Sequence, residues 1–170
     1  MLTVDLAELG REGRIEVDAD LPPETFSLGE GGDIQLRGPL AVHLVVTRVG
    51  QDLIARGRVH GELVIECRRC LEPVEHPIDE EVEFIYRSGI DRLTAEEEEV
   101  YILPEGAGEV DLEDAVQEHL FLSIPRFVVC RAECRGLCPK CGIDLNEGTC
   151  TCEDDETDDR WAPLRGLKLE

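Results

Sequence analysis

Eight cysteines, at positions 67, 70, 130, 134, 138, 141, 150 and 152, are the residues of this 170-residue chain best suited to chemistry. They fall into four close pairs: C-x2-C, C-x3-C, C-x2-C and C-x-C. In a reducing compartment such pairs serve better as metal ligands than as disulfides. Zinc takes four thiolate or imidazole ligands in a tetrahedron, and each short pair can supply two corners. Cys138-Pro139-Lys140-Cys141-Gly142 is the sharpest of these signals. Two intervening residues let one turn present both sulfurs, and Gly142 can adopt φ > 0 so that backbone N–H groups point back at them. Cys150 and Cys152, beyond the loop 142–149, would complete the set and give one zinc, although this spacing is tighter than in common zinc ribbons. Neither Cys67-x2-Cys70 nor Cys130-x3-Cys134 is complete alone, so the ligand count combines them into a second site and a stoichiometry of two. Inert buried thiols or a redox pair are the alternative for that second set.

Catalysis finds little support. The chain contains no H-E-x-x-H, no G-x-S-x-G and no glycine-rich phosphate loop. A metal held by four thiolates has no open position for an activated water. The expectation is a protein that is not an enzyme. Asp and Glu number 39 against 17 Lys and Arg, a formal charge of −22 that disfavours a broad nucleic-acid-binding face. Yet Arg68, Arg69, Arg126, Arg131, Arg135 and Lys140 gather near the cysteines. They either balance thiolate charge or form a small patch able to touch phosphate, with Arg68, Arg69, Arg131 and Arg135 the named candidates. No run of 18 apolar residues is present, so no membrane span is expected. The N-terminus has neither the basic n-region nor the apolar core of a secretory signal, which points to a cytoplasmic protein.

The elements that must position these cysteines are mostly strands. Leu40, Val42, Leu44 and Val46 alternate with period two, and a second run carries apolar residues at 53, 55, 59, 63 and 65. Gly57 and Gly61 inside that run suggest a bulge or bend. Cys67 to Cys70 sits where this strand must turn, and Ile78, Val82, Phe84 and Tyr86 share one face of the next. Residues 1–32 read as irregular or edge structure. Residues 88–118 carry eleven acidic residues and one basic one, and the run 96–99 reads as a solvated loop, with an interaction surface for a basic partner as the alternative. Asp111 is expected to cap the one convincing helix, whose apolar residues 112, 115, 116 and 120 recur at helical spacing before Pro125. His119 on that face reads as a packed core histidine, and His43, His60 and His76 show no acid partner.

The chain is therefore expected to be α+β: a mainly antiparallel β meander or barrel-like sheet with one principal helix and a C-terminal cysteine-rich zinc-binding element. Three regions follow: a β-rich core over 1–125 with its helix near 111–124, the cysteine-rich element over 126–152, and an acidic spacer with an anchor segment over 153–170. Six of the seven residues 153–159 are acidic, and Trp161, Leu164 and Leu167 beyond them are expected to dock on the body.

Four stretches together resemble the YceD family, the large ribosomal RNA subunit accumulation proteins. They are Cys67-Arg68-Arg69-Cys70-Leu71-Glu72-Pro73; Val110-Asp111-Leu112 through Leu120, Leu122, Ile124 and Pro125; Cys134 through Gly142, Asp144, Leu145 and Asn146 with Cys150 and Cys152; and Asp159-Arg160-Trp161-Ala162 with Leu164. The resemblance implies a role in accumulation or processing of large-subunit (23S) rRNA, with the large-subunit precursor as partner. It supplies no catalytic residue. Because ribosomal proteins are generally basic, the acidic stretches 91–118 and 153–159 suggest that engagement runs through a basic ribosomal protein, with rRNA contact local and secondary. The rival reading is a zinc–thiol redox-responsive regulatory protein.

Overall fold

The computed structural model describes residues 2–26, 28 and 34–152. The anchor segment with Trp161 and the acidic stretch 153–159 lie outside the described residues.

Three long strands form the frame. Strand β4 (Leu40–Val49), β5 (Asp52–Glu66) and β6 (Pro73–Ser88) run antiparallel, with β2 (Arg14–Leu21) on the far side of β4. The period-two reading holds throughout: Leu40, Val42, Leu44 and Val46 are buried, as are Leu53, Ala55, Val59, Leu63, Ile65, Ile78, Val82, Phe84 and Tyr86. Removing a Leu or Phe of this kind from water contributes about 1.5–3 kcal/mol. Short β3 (Ile34–Leu36) pairs with the upper part of β5, beyond the reach of β4.

Gly57 marks no bulge. Both ladders of β5 run through it in unbroken register. A Cβ there would stand 1.9 Å from the carbonyl oxygen of His43, so the position requires glycine because the neighbouring backbone comes too close. The sheet does not close on itself. Its order is β2-β4-β5-β6-β7, with β7 (Tyr101–Leu103) pairing parallel to the end of β6, so it is an open sheet rather than a barrel among the described residues.

The described residues contain three α-helices rather than one principal helix. Residues 2–21, expected to be irregular or edge structure, form β1 (Thr3–Asp5), α1 (Leu6–Glu12) and the edge strand β2. Asp5 caps α1 by accepting from the N–H groups of Ala7 and Glu8 at 2.7 and 2.8 Å, and Gly13 ends it at φ 74°. The acidic stretch read as a loop holds α2 (Arg92–Glu98), β7 and β8 (Glu109–Asp111). Its charges are solvated as expected, but Ala95, Leu103 and Val110 are buried and pull the chain into regular structure. Asp91 caps α2 through the N–H of Thr94 at 2.8 Å, and Arg87 grips Asp52 with two bonds of 2.7 and 2.8 Å while also bonding Glu98.

Helix α3 (Glu113–Ser123) is the long one. Asp111 accepts from the N–H of Glu113, but the capping position itself is Leu112, one residue later than expected, and its side chain makes no capping bond. Ala115, Val116 and Leu120 enter the common core. His119 packs edge-on against Phe84 and bonds Glu80 of β6 at 2.7 Å. None of the described helices is long and apolar enough to cross a membrane.

Candidate metal centres

The β5–β6 ladder closes at Glu66 opposite Pro73, leaving residues 67–72 as a hairpin end. There the Cys67 N–H donates to the Glu72 carbonyl at 2.8 Å, and the Leu71 N–H donates to the Cys67 carbonyl at 2.9 Å. Leu71 takes φ 64° to make that turn. Gly142 does the same after the other C-x2-C: its φ is 73° and its N–H donates to the Cys138 carbonyl at 2.9 Å. The two turns share one shape, although one has glycine and the other leucine in the left-handed position. Leucine there costs about 1–2 kcal/mol, so the surroundings must hold it in place.

The partner cysteines arrive from the segment after α3. The Arg68 N–H donates to the Val128 carbonyl at 2.9 Å, which lays this segment along the hairpin end. All four sulfurs of Cys67, Cys70, Cys130 and Cys134 then lie within 4.8 Å of one another. Cys67 and Cys134 are 3.9 Å apart, Cys70 and Cys130 3.6 Å. A disulfide needs about 2.05 Å. Zinc–sulfur bonds of about 2.3 Å in a tetrahedron place neighbouring sulfurs about 3.8 Å apart, which these distances match. Cys67, Cys70 and Cys134 are buried.

The second cluster is carried by a small local hairpin. Leu137 bridges Asp144, and the Cys138 N–H donates to the Ile143 carbonyl at 2.9 Å. The sulfurs of Cys138, Cys141, Cys150 and Cys152 also lie within 4.8 Å of one another, with Cys138 and Cys150 3.5 Å apart. Cys138 is buried, whereas Cys141 and Cys152 are exposed. Both four-cysteine sets drawn from the spacing are thus brought together, and each could hold a metal. Thiolate donors suit zinc well.

The electrostatics of both sets suit a cation. Burial pushes the Cys67 thiol up, but N–H groups of Cys130, Arg69 and Cys70 aimed at its sulfur outweigh this and hold it at about 6. The Glu72 N–H favours the Cys70 thiolate, yet burial and the sulfurs of Cys67, Cys130 and Cys134 together raise its pKa. In the other set the N–H groups of Cys141 and Lys140 bring Cys138 down to about 6, while the Cys141 side chain, with burial and Cys138, pushes Cys152 up to about 12. In each set one sulfur is stabilised as a thiolate and another resists ionising beside it. A bound dication would remove that conflict.

The two sets touch. Gly136, at φ 73°, brings its chain so near the first hairpin that a Cβ would lie 2.7 Å from the Arg69 carbonyl oxygen, and the Leu137 N–H donates to that oxygen at 2.9 Å. Asn146 donates to the Cys134 sulfur at 3.5 Å and accepts from the Arg135 N–H at 2.8 Å. Spacing rules did not single out Asn146 or Leu71, because neither is a ligand and each acts through a ligand's surroundings. The only sequence signal was that both stand inside the stretches that carry the family resemblance.

The four named arginines are exposed, and Arg69 and Arg135 hold carbonyls of the fold. Arg69 donates to the carbonyls of Cys134 and Ala132 at 2.8 and 3.3 Å, and Arg135 donates to the Gly148 carbonyl at 2.7 Å. His43, read as lacking an acid partner, lies 2.6 Å from Asp18 on the exposed sheet face. The β2–β4 register puts them opposite each other, which residues 25 apart in sequence do not reveal.

The sequence model of the family described as large ribosomal RNA subunit accumulation protein YceD matches residues 55–168, which includes both clusters. This chain belongs to the YceD family. A Mycobacterium tuberculosis protein described as uncharacterized is 30% identical over 175 residues, covering 96% of this chain and 79% of its own length. Two chloroplastic proteins bear the name large ribosomal RNA subunit accumulation protein YCED homolog 1. The one from Arabidopsis thaliana is 26% identical over 157 residues, covering 76% of this chain and 49% of its own. The one from Zea mays is 27% identical over 161 residues, covering 78% and 55%. No solved structure matches the chain.

Proposed function

We propose that this YceD protein is a non-enzymatic, cytoplasmic assembly factor that supports large-subunit rRNA accumulation or processing. The observation that carries this reading is the family match together with two closed four-thiol clusters. Sets of this kind leave a zinc ion no open coordination position, so zinc here would shape the protein instead of activating a water. One zinc at Cys138, Cys141, Cys150 and Cys152 and another at Cys67, Cys70, Cys130 and Cys134 would hold the C-terminal segment against the sheet.

At a net charge of −22 the chain is repelled by RNA, and physiological salt limits the reach of that repulsion to about 8 Å. Engagement of the large-subunit precursor therefore runs chiefly through a basic ribosomal protein. Local rRNA contact would fall to Arg68, Arg69, Arg131 and Arg135. Co-sedimentation with large-subunit precursor particles tests the reading, and free protein at every stage of particle maturation would refute it. The redox-responsive reading draws on the exposed Cys141 and Cys152. It predicts release of one metal under mild oxidation that is reversed by a thiol reductant.

A further inference from the structure

A groove of about 880 Å3 opens beside α2, β7 and α3, away from both metal centres. Phe84, Val100, Tyr101, Ile102 and Leu122 give it apolar lining, with Tyr101 meeting Phe84 edge-on at 6.1 Å and stacking at 5.1 Å on Tyr86, which is buried behind it. Leu122 and Ile102 are left 75% and 45% exposed. Its wall is acidic. Glu96 and Glu99 face it from the α2 side, and Glu118 from α3, where it accepts from the Tyr101 hydroxyl at 2.8 Å. Among the described residues lining it, Arg92 pairs with Glu96 within α2 and His119 bonds Glu80 of β6. Glu99 itself is placed by an unusual backbone, closing α2 at φ 54°. The acidic stretch thus forms the rim of a hydrophobic slot.

We propose that this groove is a docking site for a cationic, apolar-anchored segment of a protein partner. An apolar floor takes one or two Leu- or Phe-like anchors, and the carboxylate rim pairs with Lys or Arg on either side of them. RNA is disfavoured here because its phosphates would face the glutamates. A second copy of this chain would bring the same excess of negative charge. The chain's own C-terminal segment carries Arg160, Trp161, Leu164, Arg165 and Lys168, but it follows six carboxylates in residues 153–159 that the same acidic rim would repel. The site deepens the assembly reading given above and rests on it for the partner's identity.

The test uses the full chain and a short synthetic peptide rich in Lys and Arg, with leucines at helical spacing and no tryptophan. At ~0.15 M salt, Leu122→Ser and the pair Glu96→Lys with Glu99→Lys are each expected to weaken peptide binding about tenfold or more. Glu81→Lys on the open sheet face serves as the charge control and should change it far less. Equal losses in all three variants would overturn the site, as would undiminished binding in the Leu122 and Glu96/Glu99 variants. A red shift of Trp161 emission as the peptide saturates would assign the groove to the chain's own tail and also overturn it. Wild-type protein that co-sediments with precursor particles, with groove variants doing so equally well, would sink the groove and leave the assembly reading standing. Groove-dependent peptide binding without any particle association would do the reverse.

Discussion

The two thiol clusters differ in what they join. In the first, Cys70 and Cys130 lie 60 residues apart, so closing it draws β6, α2, β7, β8 and α3 into one loop and ties the far end of that loop to the β5–β6 hairpin. The second lies wholly within residues 138–152 and closes only a local turn. Burial follows the same division: Cys67 is fully buried, whereas Cys141 and Cys152 are exposed. A cross-link across a long loop removes more freedom from the unfolded chain than one across a short loop, although the gain grows slowly with length. The first centre therefore belongs to the fold as a whole, and the second to its own hairpin.

Removing a ligand from each should expose that difference. Cys67→Ser is expected to have the largest effect. With a zinc in each cluster, as proposed above, it should reduce bound metal from two ions to one, release residues 124–134 from the hairpin end and lower the melting temperature of the whole sheet, since structural zinc contributes on the order of 10 kcal/mol. Metal analysis alongside a thermal melt checks this, and an unchanged melt would remove the distinction drawn between the clusters. Cys141→Ser should also leave one zinc, but hydrogen exchange should rise only over 134–152, with β4, β5 and β6 keeping their protection.

The junction between the clusters comes next. Gly136→Ala combines positive φ with a Cβ 2.7 Å from the Arg69 carbonyl, and should cost about 2–3 kcal/mol by chemical denaturation. Asn146→Ala removes an N–H directed at the Cys134 sulfur and should weaken metal retention at the first cluster about tenfold in a chelator competition. The smallest effect compares the two turns directly. Leu71→Gly relieves about 1–2 kcal/mol of left-handed strain but adds about 0.5–1 kcal/mol of unfolded-chain entropy, for a net gain of about 1 kcal/mol or less. Gly142→Leu reverses both terms and should be mildly destabilising. Equal and opposite shifts in denaturation midpoint would show that the turns are equivalent, and a loss in both variants would show that Leu71 contributes by packing.

Periodicity and ligand spacing are properties of neighbouring residues, and for that reason much of this protein was legible before folding. Alternation identified the buried faces of β4, β5 and β6, and pair spacing together with the ligand count sorted the eight cysteines into the two sets that the structure brings together. Where the reading failed, long-range packing was the cause. The 96–99 charge run looks like a loop by composition, yet Ala95 and Leu103 find a core that only the tertiary fold provides. Gly57 looks like a bulge until the His43 carbonyl arrives from the next strand. His43 itself acquires Asp18 through register, and Asn146 becomes a partner of Cys134 only when the second hairpin lies against the first. Sequence determines which groups a segment can offer; the fold decides which of them meet, because sulfur, carbonyl and amide interactions act over a few ångströms and a linear chain does not encode those distances.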